Sequence, residues 1–411
     1  MKEAERLKGI EFSPIRIILE EVRERKAKGE DICSLCAGEP DFNTPEPIKK
    51  AVYEKLLQNR THYSSNRGVL ELRRAIADRM EQDCGVTYDA ETELLITTGG
   101  AEAIGHVMTA FVNPGDEVII LTPAFINYSA AARLCGAHVV EVPLSAANGF
   151  QPDIERLKKA ITEKTKMVVI NNPCNPTGTV YEKEALKQLC ALALKHNFLI
   201  FSDEIYAKLT YGKNRFYSVS EFYGMKKQAI IMNGFSKAYA MTGWRVGYLM
   251  AEREAVNGML KVHQYATTSG NTFVQEGLAL AMNLEETLER TEAMRKRFEA
   301  RSIQAVRGLE KIKEIKFAEP QGAFYILMDV SETGYTGKKF AEELLKKEKT
   351  AVVPAESFGN GCKYMVRISF AETEEIINEG IRRIHRFINN NSVKNGRSNN
   401  SPANMPPEGG E

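Results

Sequence analysis

The stretch LLITTGGAEAIGHVMTAF, residues 94–111, sets the architecture expected for the whole chain. It begins as a short apolar run, turns at Gly99 and Gly100, and continues in a pattern typical of an amphipathic helix. A helix that starts near Ala101 directs its free backbone N–H groups and positive end at any anion bound there. An ordinary strand-to-helix turn is the alternative interpretation of this stretch.

The same alternation of β-branched runs and amphipathic segments continues to Met250, which predicts a mostly parallel sheet covered by helices on both faces. The strand candidates are LLITT, EVIIL, HVVEV, KMVVIN, FLIFSDE, AIIMNG and VGYLM. A long charged helix then leads to a second set of strand candidates, which are GAFYILMDV, TAVVP and YMVRISF. We therefore predict an α/β fold with a large and a smaller α/β domain.

The domain boundaries follow from these changes of pattern. Residues 1–45 form an N-terminal segment, with a helix near residues 15–28, that should pack on the small domain. Residues 46–285 form the large domain and residues 286–390 the small one. The remaining stretch, residues 391–411, is polar, rich in Asn, Pro and Gly, and nearly free of apolar side chains, so we predict a disordered tail.

Charge and hydropathy exclude several classes of partner. The chain has 55 basic and 54 acidic residues, interspersed, so no long-range field favours nucleic acid or an anionic membrane. Its apolar runs are far shorter than the roughly 20 residues that span a bilayer. The charged start MKEAERLKGIEF lacks the apolar core of a secretory signal. We expect a cytoplasmic protein that acts on small molecules.

Cysteine and histidine give little support to a metal site. Seven scattered cysteines indicate reduced thiols rather than a disulfide framework. Cys33 and Cys36 form a Cys-x-x-Cys pair that is in principle half a zinc site or a redox pair. The sequence has no second such pair, and CSLCAG is typical of a buried strand. Because the six histidines are dispersed, we predict no metal ligands.

Two further strands end in side chains that can hold a ligand. FLIFSDEIY places Asp203 at the end of an apolar strand, where an unpaired carboxylate is costly, so we expect a cationic partner. Tyr206 follows within reach of the same ligand. The preceding strand ends in the rigid, polar run NNPCNPTG, in which Asn175 can donate to a ligand oxygen. A plain turn around Asn175 and a helix N-cap role for Ser202 or Asp203 are the alternatives.

The stretch AIIMNGFSKAYAMTGWRVGYLM, residues 229–250, sets Lys237 after one strand and Arg245 before the next. Singly, both are ordinary surface charges. Open α/β sheets bind ligands at the carboxyl ends of their strands, so these segments should face one molecule. The helix end at Gly100 and the guanidinium of Arg245 can bind a phosphate, and the carboxylate of Asp203 can bind a ring nitrogen. Asn175 and Tyr206 can hydrogen-bond a phenolic oxygen. Lys237 can condense with an aldehyde. That set matches pyridoxal phosphate, held by Lys237 as a Schiff base.

Five motifs in the same order make the chain resemble the class I/II aminotransferases of pyridoxal-phosphate fold type I. The resemblance is strongest to the branch with bacterial and archaeal aspartate and aromatic aminotransferases, and it extends from about residue 10 to residue 390. The motifs are GEPDFNTP (38–45), HYSSNRGVLELRRAI (62–76), NPCNPTG (172–178), SDEIY (202–206) and SKAYAMTGWRVGY (236–248).

The resemblance implies a role for each matching residue. Lys237, Asp203 and Tyr206 would be catalytic, with Asp203 on the pyridine nitrogen and Tyr206 and Asn175 on the ring hydroxyl oxygen. The further cofactor-binding residues would be Phe125 on the ring face, Gly100, Ala101 and Glu102 through their backbone N–H groups, Ser236, Arg245, and Tyr63 from a neighbouring subunit. The substrate α-carboxylate would bind Arg367, near Gly38 and Asn175.

The expected activity is amino transfer between an L-amino acid and a 2-oxo acid by a ping-pong cycle. The expected acceptor is 2-oxoglutarate. The resemblance also implies a homodimer with shared active sites. The donor is either a broad neutral or aromatic amino acid or aspartate. Ala101 stands where relatives with strong aspartate preference can carry a lysine, whereas Arg16, Arg67 or a residue of the partner subunit can receive a distal carboxylate. A carbon–sulfur lyase would use the same cofactor site, and a non-enzymatic regulator would need an additional DNA-binding module.

Overall fold

The computed structural model describes residues 2–398, with side chains described up to residue 391. The helices are α1 (Pro14–Ala27), α2 (Glu46–Leu57), α3 (Leu70–Cys84), α4 (Gly100–Phe111), α5 (Asn127–Leu134), α6 (Ile154–Ala160), α7 (Lys183–His196), α8 (Met225–Gln228), α9 (Arg253–Ala266), α10 (Thr272–Ala281), α11 (Glu285–Leu309), α12 (Gly337–Glu348) and α13 (Glu374–Ser398). The strands are β1 (Cys33–Ser34), β2 (Leu94–Thr97), β3 (Glu117–Thr122), β4 (His138–Pro143), β5 (Thr165–Asn171), β6 (Leu199–Asp203), β7 (Ala229–Gly234), β8 (Gly247–Met250), β9 (Lys316–Phe317), β10 (Tyr325–Asp329), β11 (Thr350–Ala351), β12 (Val353–Pro354) and β13 (Met365–Ser369).

The larger sheet has seven strands in the order β2-β8-β7-β6-β5-β3-β4. Strand β8 is antiparallel to both of its neighbours and the other pairs are parallel. Alternate side chains of β3 enter different cores: Ile119 and Leu121 pack with α3, α7 and α10, whereas Val118 and Ile120 pack with α4, α5 and α9. Burial on both faces explains the apolar runs. The predicted α/β class and all seven strand candidates are confirmed.

A second, four-stranded antiparallel sheet has the order β12-β13-β10-β9. Its core contains Phe298 of α11, Phe340 of α12 and Phe387 of α13. Strand β1 pairs in parallel with β11, so the N-terminal segment joins this part of the chain. The two-residue strand β9 was not predicted, because KF alone carries no strand pattern. The domain boundaries stay a prediction.

Helix α13 extends further than the sequence pattern predicted. The backbone remains helical to Ser398, which includes residues 391–398 of the predicted disordered tail. Adding one residue to an existing helix is much less costly than starting one, so a helix can continue into a polar sequence. The rest of the predicted tail, residues 399–411, lies outside the described residues. Among residues 2–398, no helix combines the length and apolar character needed to cross a membrane.

The parallel strands bring their carboxyl ends to one edge of the large sheet. Strands β5, β6 and β7 are consecutive neighbours and end at Asn171, Asp203 and Gly234. The connections that leave these ends carry the polar segments identified in the sequence. They therefore meet at one place, where open α/β sheets bind their ligands.

Helix α10 crosses α2 so closely that Gly277 tolerates no side chain. A Cβ there would lie 2.4–2.7 Å from atoms of Val52. We expect Gly277→Ala to lower the free energy of unfolding by about 1–3 kcal/mol, the usual cost of overpacking. The matched control is Gly258→Ala in α9, whose Cβ would meet Phe111 at an ordinary 3.6 Å. That variant should gain up to about 1 kcal/mol from helix propensity. Urea unfolding would measure both changes, and equal changes would contradict the prediction.

Candidate active site

A cavity of about 620 Å³ lies at the carboxyl edge of the large sheet. The predicted site residues that line it are Gly38, Gly100, Ala101, Phe125, Asn175, Asp203, Tyr206, Ser236, Lys237, Arg245 and Arg367. Two predicted residues do not line it. Tyr63 is 85% exposed and borders a separate surface pocket. The side chain of Glu102 accepts hydrogen bonds from the backbone N–H of Thr98 and the hydroxyl of Thr267.

Lys237 projects into this cavity from the connection after β7. Its Nζ donates to the carbonyl oxygen of Gly38 at 2.5 Å and lies 5.9 Å and 5.8 Å from the ring centres of Tyr206 and Phe324. Burial lowers the pKa of Lys237 to about 8, although Glu39 opposes the shift. An amine with that pKa exchanges protons near neutral pH, which an unperturbed lysine does not.

Asp203 ends β6 as a buried carboxylate. Its Oδ2 accepts from the Tyr128 hydroxyl at 2.5 Å and its Oδ1 accepts from the backbone N–H of Ile205 at 3.1 Å. Burial raises the pKa of Asp203 to about 6, and the bond from Tyr128 only partly offsets this. Within the described part of the chain Asp203 forms no ion pair, so the protein itself does not supply the cationic partner that the sequence predicted. A cationic ligand would supply it.

Arg367 is a buried cation without a carboxylate partner among the described residues. It is 2% exposed and lies over the ring of Tyr325, 4.4 Å from the ring centre. Its Nη1 donates to Asn175 Oδ1 at 3.0 Å and its Nη2 to the carbonyl oxygen of Cys36 at 3.3 Å, while Nε has no partner. Because these acceptors are all neutral, the positive charge of the guanidinium remains available to bind an anion.

Two tyrosines complete the wall between these charges. The hydroxyl groups of Tyr206 and Tyr325 are 3.0 Å apart, and their rings meet edge to face. Sequence reasoning identified Tyr206 but missed Tyr325 and also Tyr128, the partner of Asp203. Tyr325 lies in a strand of the other sheet and Tyr128 in a helix after β3. Their sequence neighbourhoods carry no signal for either contact.

The first turn of α4 forms the opposite end of the cavity. Gly99 has φ +97°, and a Cβ on it would lie 2.5 Å from Nη2 of Arg245. Arg245 itself has φ +56° and donates through Nη1 to the carbonyl oxygen of Thr242 at 2.8 Å. The backbone N–H groups of residues 100–102 have no protein partner among the described residues. Free helix N–H groups beside a guanidinium form an anion-binding site.

Helix α1 borders the same cavity. It contributes Ile15, Arg16 and Leu19 to the lining. Arg67, the other residue considered for a distal carboxylate, does not line the cavity. It donates instead to the carbonyl oxygen of Thr92 and to Asn257. Arg67 is thus not placed to bind a ligand here.

Comparison with known proteins gives consistent matches over nearly the whole chain. Residues 30–384 match the family described as aminotransferase class I and II. The aspartate aminotransferase of Pyrococcus abyssi is 38% identical over 87% of this chain and 92% of its own length. Aromatic-amino-acid aminotransferase 2 of Thermococcus litoralis is also 38% identical, over the same shares. The solved structure of aspartate aminotransferase from Thermus thermophilus with maleate is 36% identical and matches with a TM-score of 0.90, over 94% of this chain and 100% of that one.

The carboxyl group of Asp203 should control part of the pH dependence of stability. Its pKa is raised from 3.8 to about 6, so the folded chain binds this proton more tightly than the unfolded chain. The contribution of Asp203 to the free energy of unfolding is fully present below about pH 4 and is lost as the pH rises through about 6. The loss is about 3 kcal/mol at most. Asp203→Asn removes this dependence. In ligand-free protein, the wild-type free energy of unfolding should therefore fall relative to the variant between about pH 4 and pH 7.

Urea unfolding at a series of pH values measures that difference. Asp78→Asn is the matched control, because Asp78 is exposed and has no hydrogen-bond or ion-pair partner within the described residues. Its profile should run parallel to the wild type. Parallel profiles for Asp203→Asn as well would show that Asp203 does not carry the dependence.

Proposed function

The chain belongs to the class I and II aminotransferases, and on that premise we propose that its cavity binds pyridoxal phosphate and moves an amino group from an L-amino acid to 2-oxoglutarate. One observation carries the proposal. A single cavity contains a buried carboxylate, a buried guanidinium and a lysine with a lowered pKa, and none of the three has an ion-pair partner among the described residues. The carbon–sulfur lyase alternative is not favoured, since the relatives compared are aminotransferases by name.

The residues present fit the aromatic part of this cofactor. Asp203 is a buried acceptor that lacks a cation, as a protonated ring nitrogen requires. Asn175 uses its Oδ1 for Arg367, which leaves its Nδ2 to donate to the phenolic oxygen beside the hydroxyl of Tyr206. Phe125 lines the same cavity and would cover one face of the ring. When bound, pyridoxal phosphate supplies an aldehyde that condenses with amines and a cationic ring that accepts electron density.

The phosphate would bind at the first turn of α4. The free N–H groups of residues 100–102 and the guanidinium of Arg245 supply donors, and the hydroxyl of Ser236 lines the cavity with them. The glycine at position 99 leaves the space that Arg245 occupies. Neutral N–H and hydroxyl donors and the guanidinium of Arg245 would hold the phosphate dianion at this end of the cavity. These groups would anchor the cofactor and take no part in proton transfer.

Proton transfer falls to Lys237. With a substrate bound, the Nζ of Lys237 would remove the proton from the substrate Cα and would later deliver it to the carbon on the other side of the substrate nitrogen. Asp203 would hold the proton on the ring nitrogen and would so favour loss of the Cα proton. Arg367 fixes the α-carboxylate, which sets the orientation of Cα towards Nζ. The same residue roles in reverse order, with a 2-oxo acid as substrate, would complete a ping-pong cycle.

Helix α1 supplies the basis for accepting two kinds of side chain. Ile15 and Leu19 offer an apolar surface to a neutral or aromatic donor. Arg16 has no hydrogen-bond or ion-pair partner among the described residues, and it can receive the distal carboxylate of 2-oxoglutarate or aspartate. Ala101 contributes no charge at the other side of the cavity. We therefore propose a broad neutral or aromatic donor, with aspartate also accepted.

Exposed apolar side chains support a homodimer with shared active sites. Tyr63 is 85% exposed, Tyr53 and Leu57 of α2 are 60% and 63% exposed, and Tyr265 at the end of α9 is 89% exposed. Exposed large apolar side chains of this kind are typical of an interface. In the proposed dimer, Tyr63 reaches the phosphate end of the partner's cavity.

A cytoplasmic location is also proposed, from the state of the thiols. All seven cysteines are free, and five of them are buried. Burial raises the pKa of Cys36 to about 12 and of Cys33 to about 11, so neither thiol is activated. Such cysteines behave as small apolar side chains of a protein in a reducing compartment.

Lys237→Ala tests the proposed proton transfer. We expect the turnover number to fall by at least about 10³-fold, because Lys237 is the proposed carrier of the Cα proton. Glutamate formation from 2-oxoglutarate measures turnover, and the absorption of the bound cofactor reports its bond to the chain. Lys195→Ala, an exposed lysine on α7, is the control and should keep wild-type turnover. Retained turnover with an unchanged spectrum would refute the assignment.

Arg367→Leu tests carboxylate recognition. Loss of a charge-assisted pair costs about 1.5–3 kcal/mol, so KM should rise roughly 10- to 100-fold for every amino donor alike. Arg16→Leu should instead raise KM only for the dicarboxylic substrates. Steady-state kinetics with aspartate, phenylalanine and alanine would separate the two. An effect of Arg367→Leu on one donor alone would mean that this arginine binds a side chain.

A further inference from the structure

Next to the proposed phosphate end, three side chains of α4 and α9 face one another. Nε2 of His106 lies 3.1 Å from Nδ1 of His263. Oε1 of Glu102 lies 3.6 Å from Nε2 of His106, and Oε2 lies 3.7 Å from Nδ1 of His263. Both imidazoles are buried, at 3% and 1% exposure. Three groups that commonly bind metals therefore converge in the interior of the protein.

Hydrogen bonding accounts for only part of this arrangement. The two imidazole nitrogens can share one proton, whereas the contacts from Glu102 are longer than the 2.7–3.2 Å typical of a hydrogen bond. Glu102 accepts from Thr98 and Thr267, but no lysine or arginine of the described residues pairs with it. A carboxylate with a side chain only 14% exposed thus lies beside two imidazole nitrogens, and no lysine or arginine of the described residues neutralises it.

We propose that Glu102, His106 and His263 bind one zinc ion. Zinc holds imidazole nitrogen and carboxylate oxygen at about 2.0–2.1 Å in a tetrahedron, which sets neighbouring ligand atoms roughly 3.3–3.4 Å apart. The 3.1 Å between the two imidazole nitrogens is close to that value. The 3.6 Å and 3.7 Å contacts are made by different oxygens of Glu102, so the carboxylate must shift to bring one oxygen towards both nitrogens. The fourth position is left for water or the second oxygen of Glu102.

The donor set selects the class of metal. Two imidazoles and one carboxylate suit zinc and its neighbours in the first transition row. Calcium and magnesium require six or more ligands, nearly all of them oxygen, which this cluster does not offer. The proposal therefore concerns a transition-metal ion and not an alkaline-earth ion.

The fold explains why this site could not be predicted from the sequence. Glu102 and His106 are four residues apart, which places them on one face of α4. His263 comes from α9, far along the chain, and only helix packing brings it to them. A bound ion would fix α9 to the first turn of α4. Its role would be to hold the phosphate-facing N–H groups in place, and it would not touch the reacting atoms.

Metal content of the untagged holoenzyme tests the proposal. The enzyme is stripped with a chelator, dialysed against zinc, freed of excess metal and measured by elemental analysis. We expect one zinc ion per chain, and at least tenfold weaker retention in His106→Ala and His263→Ala. His138→Ala is the matched control, since His138 is exposed at the start of β4, and it should retain zinc like the wild type.

Two outcomes would overturn the proposal. One is a wild-type chain that retains no stoichiometric zinc, and the other is equal retention by folded His106→Ala and His263→Ala, which would place the ion elsewhere. Should both variants fail to fold, the wild type with cobalt decides. A tetrahedral visible spectrum supports the site, and an octahedral spectrum or no bound cobalt refutes it. Because turnover is not the readout, the result is independent of the proposed amino transfer.

Discussion

The guanidinium of Arg367 connects the two sheets of the protein. It lies on β13 of the smaller sheet, donates to Asn175 beyond β5 of the larger one, and donates to the carbonyl oxygen of Cys36 beyond β1. A buried cation that lacks these acceptors would cost several kcal/mol. The loops after β1 and β5 must therefore keep their positions relative to β13, and the shape of the cavity depends on that requirement.

The charges in the cavity are arranged so that none neutralises another directly. Asp203 is bound by a phenol and a backbone N–H, Arg367 by two neutral oxygens, and Lys237 by a carbonyl oxygen. Burial then shifts the pKa of Asp203 upwards and that of Lys237 downwards, both towards neutrality. Neutral partners thus leave each charge available to a ligand, at a cost in stability that a bound ligand offsets.

How much could be predicted from sequence depends on how local each feature is. The strands were predictable because burial on both sheet faces requires uninterrupted apolar runs, and Lys237, Asp203 and Asn175 were predictable because each follows such a run. Contacts between distant elements were not predictable. Tyr128 meets Asp203 from a helix after another strand, and His263 meets His106 only through packing of α9 on α4. The end of α13 was misplaced because helix continuation depends on the turn before it as well as on local composition.

Helix α1 is attached to the rest of the protein by little buried surface, with Val22 its only buried residue. Ile15, Arg16 and Leu19, which are proposed to meet the side chain of the substrate, all lie on this one helix. The groups proposed for the chemistry lie instead on the two sheets and the connections that leave them. On the proposed assignments, substrate range and catalysis are separable in this architecture. Mutations in α1 can change which amino acids are accepted while the catalytic machinery and the core stay intact, a modularity that favours functional divergence among descendants of one ancestral enzyme.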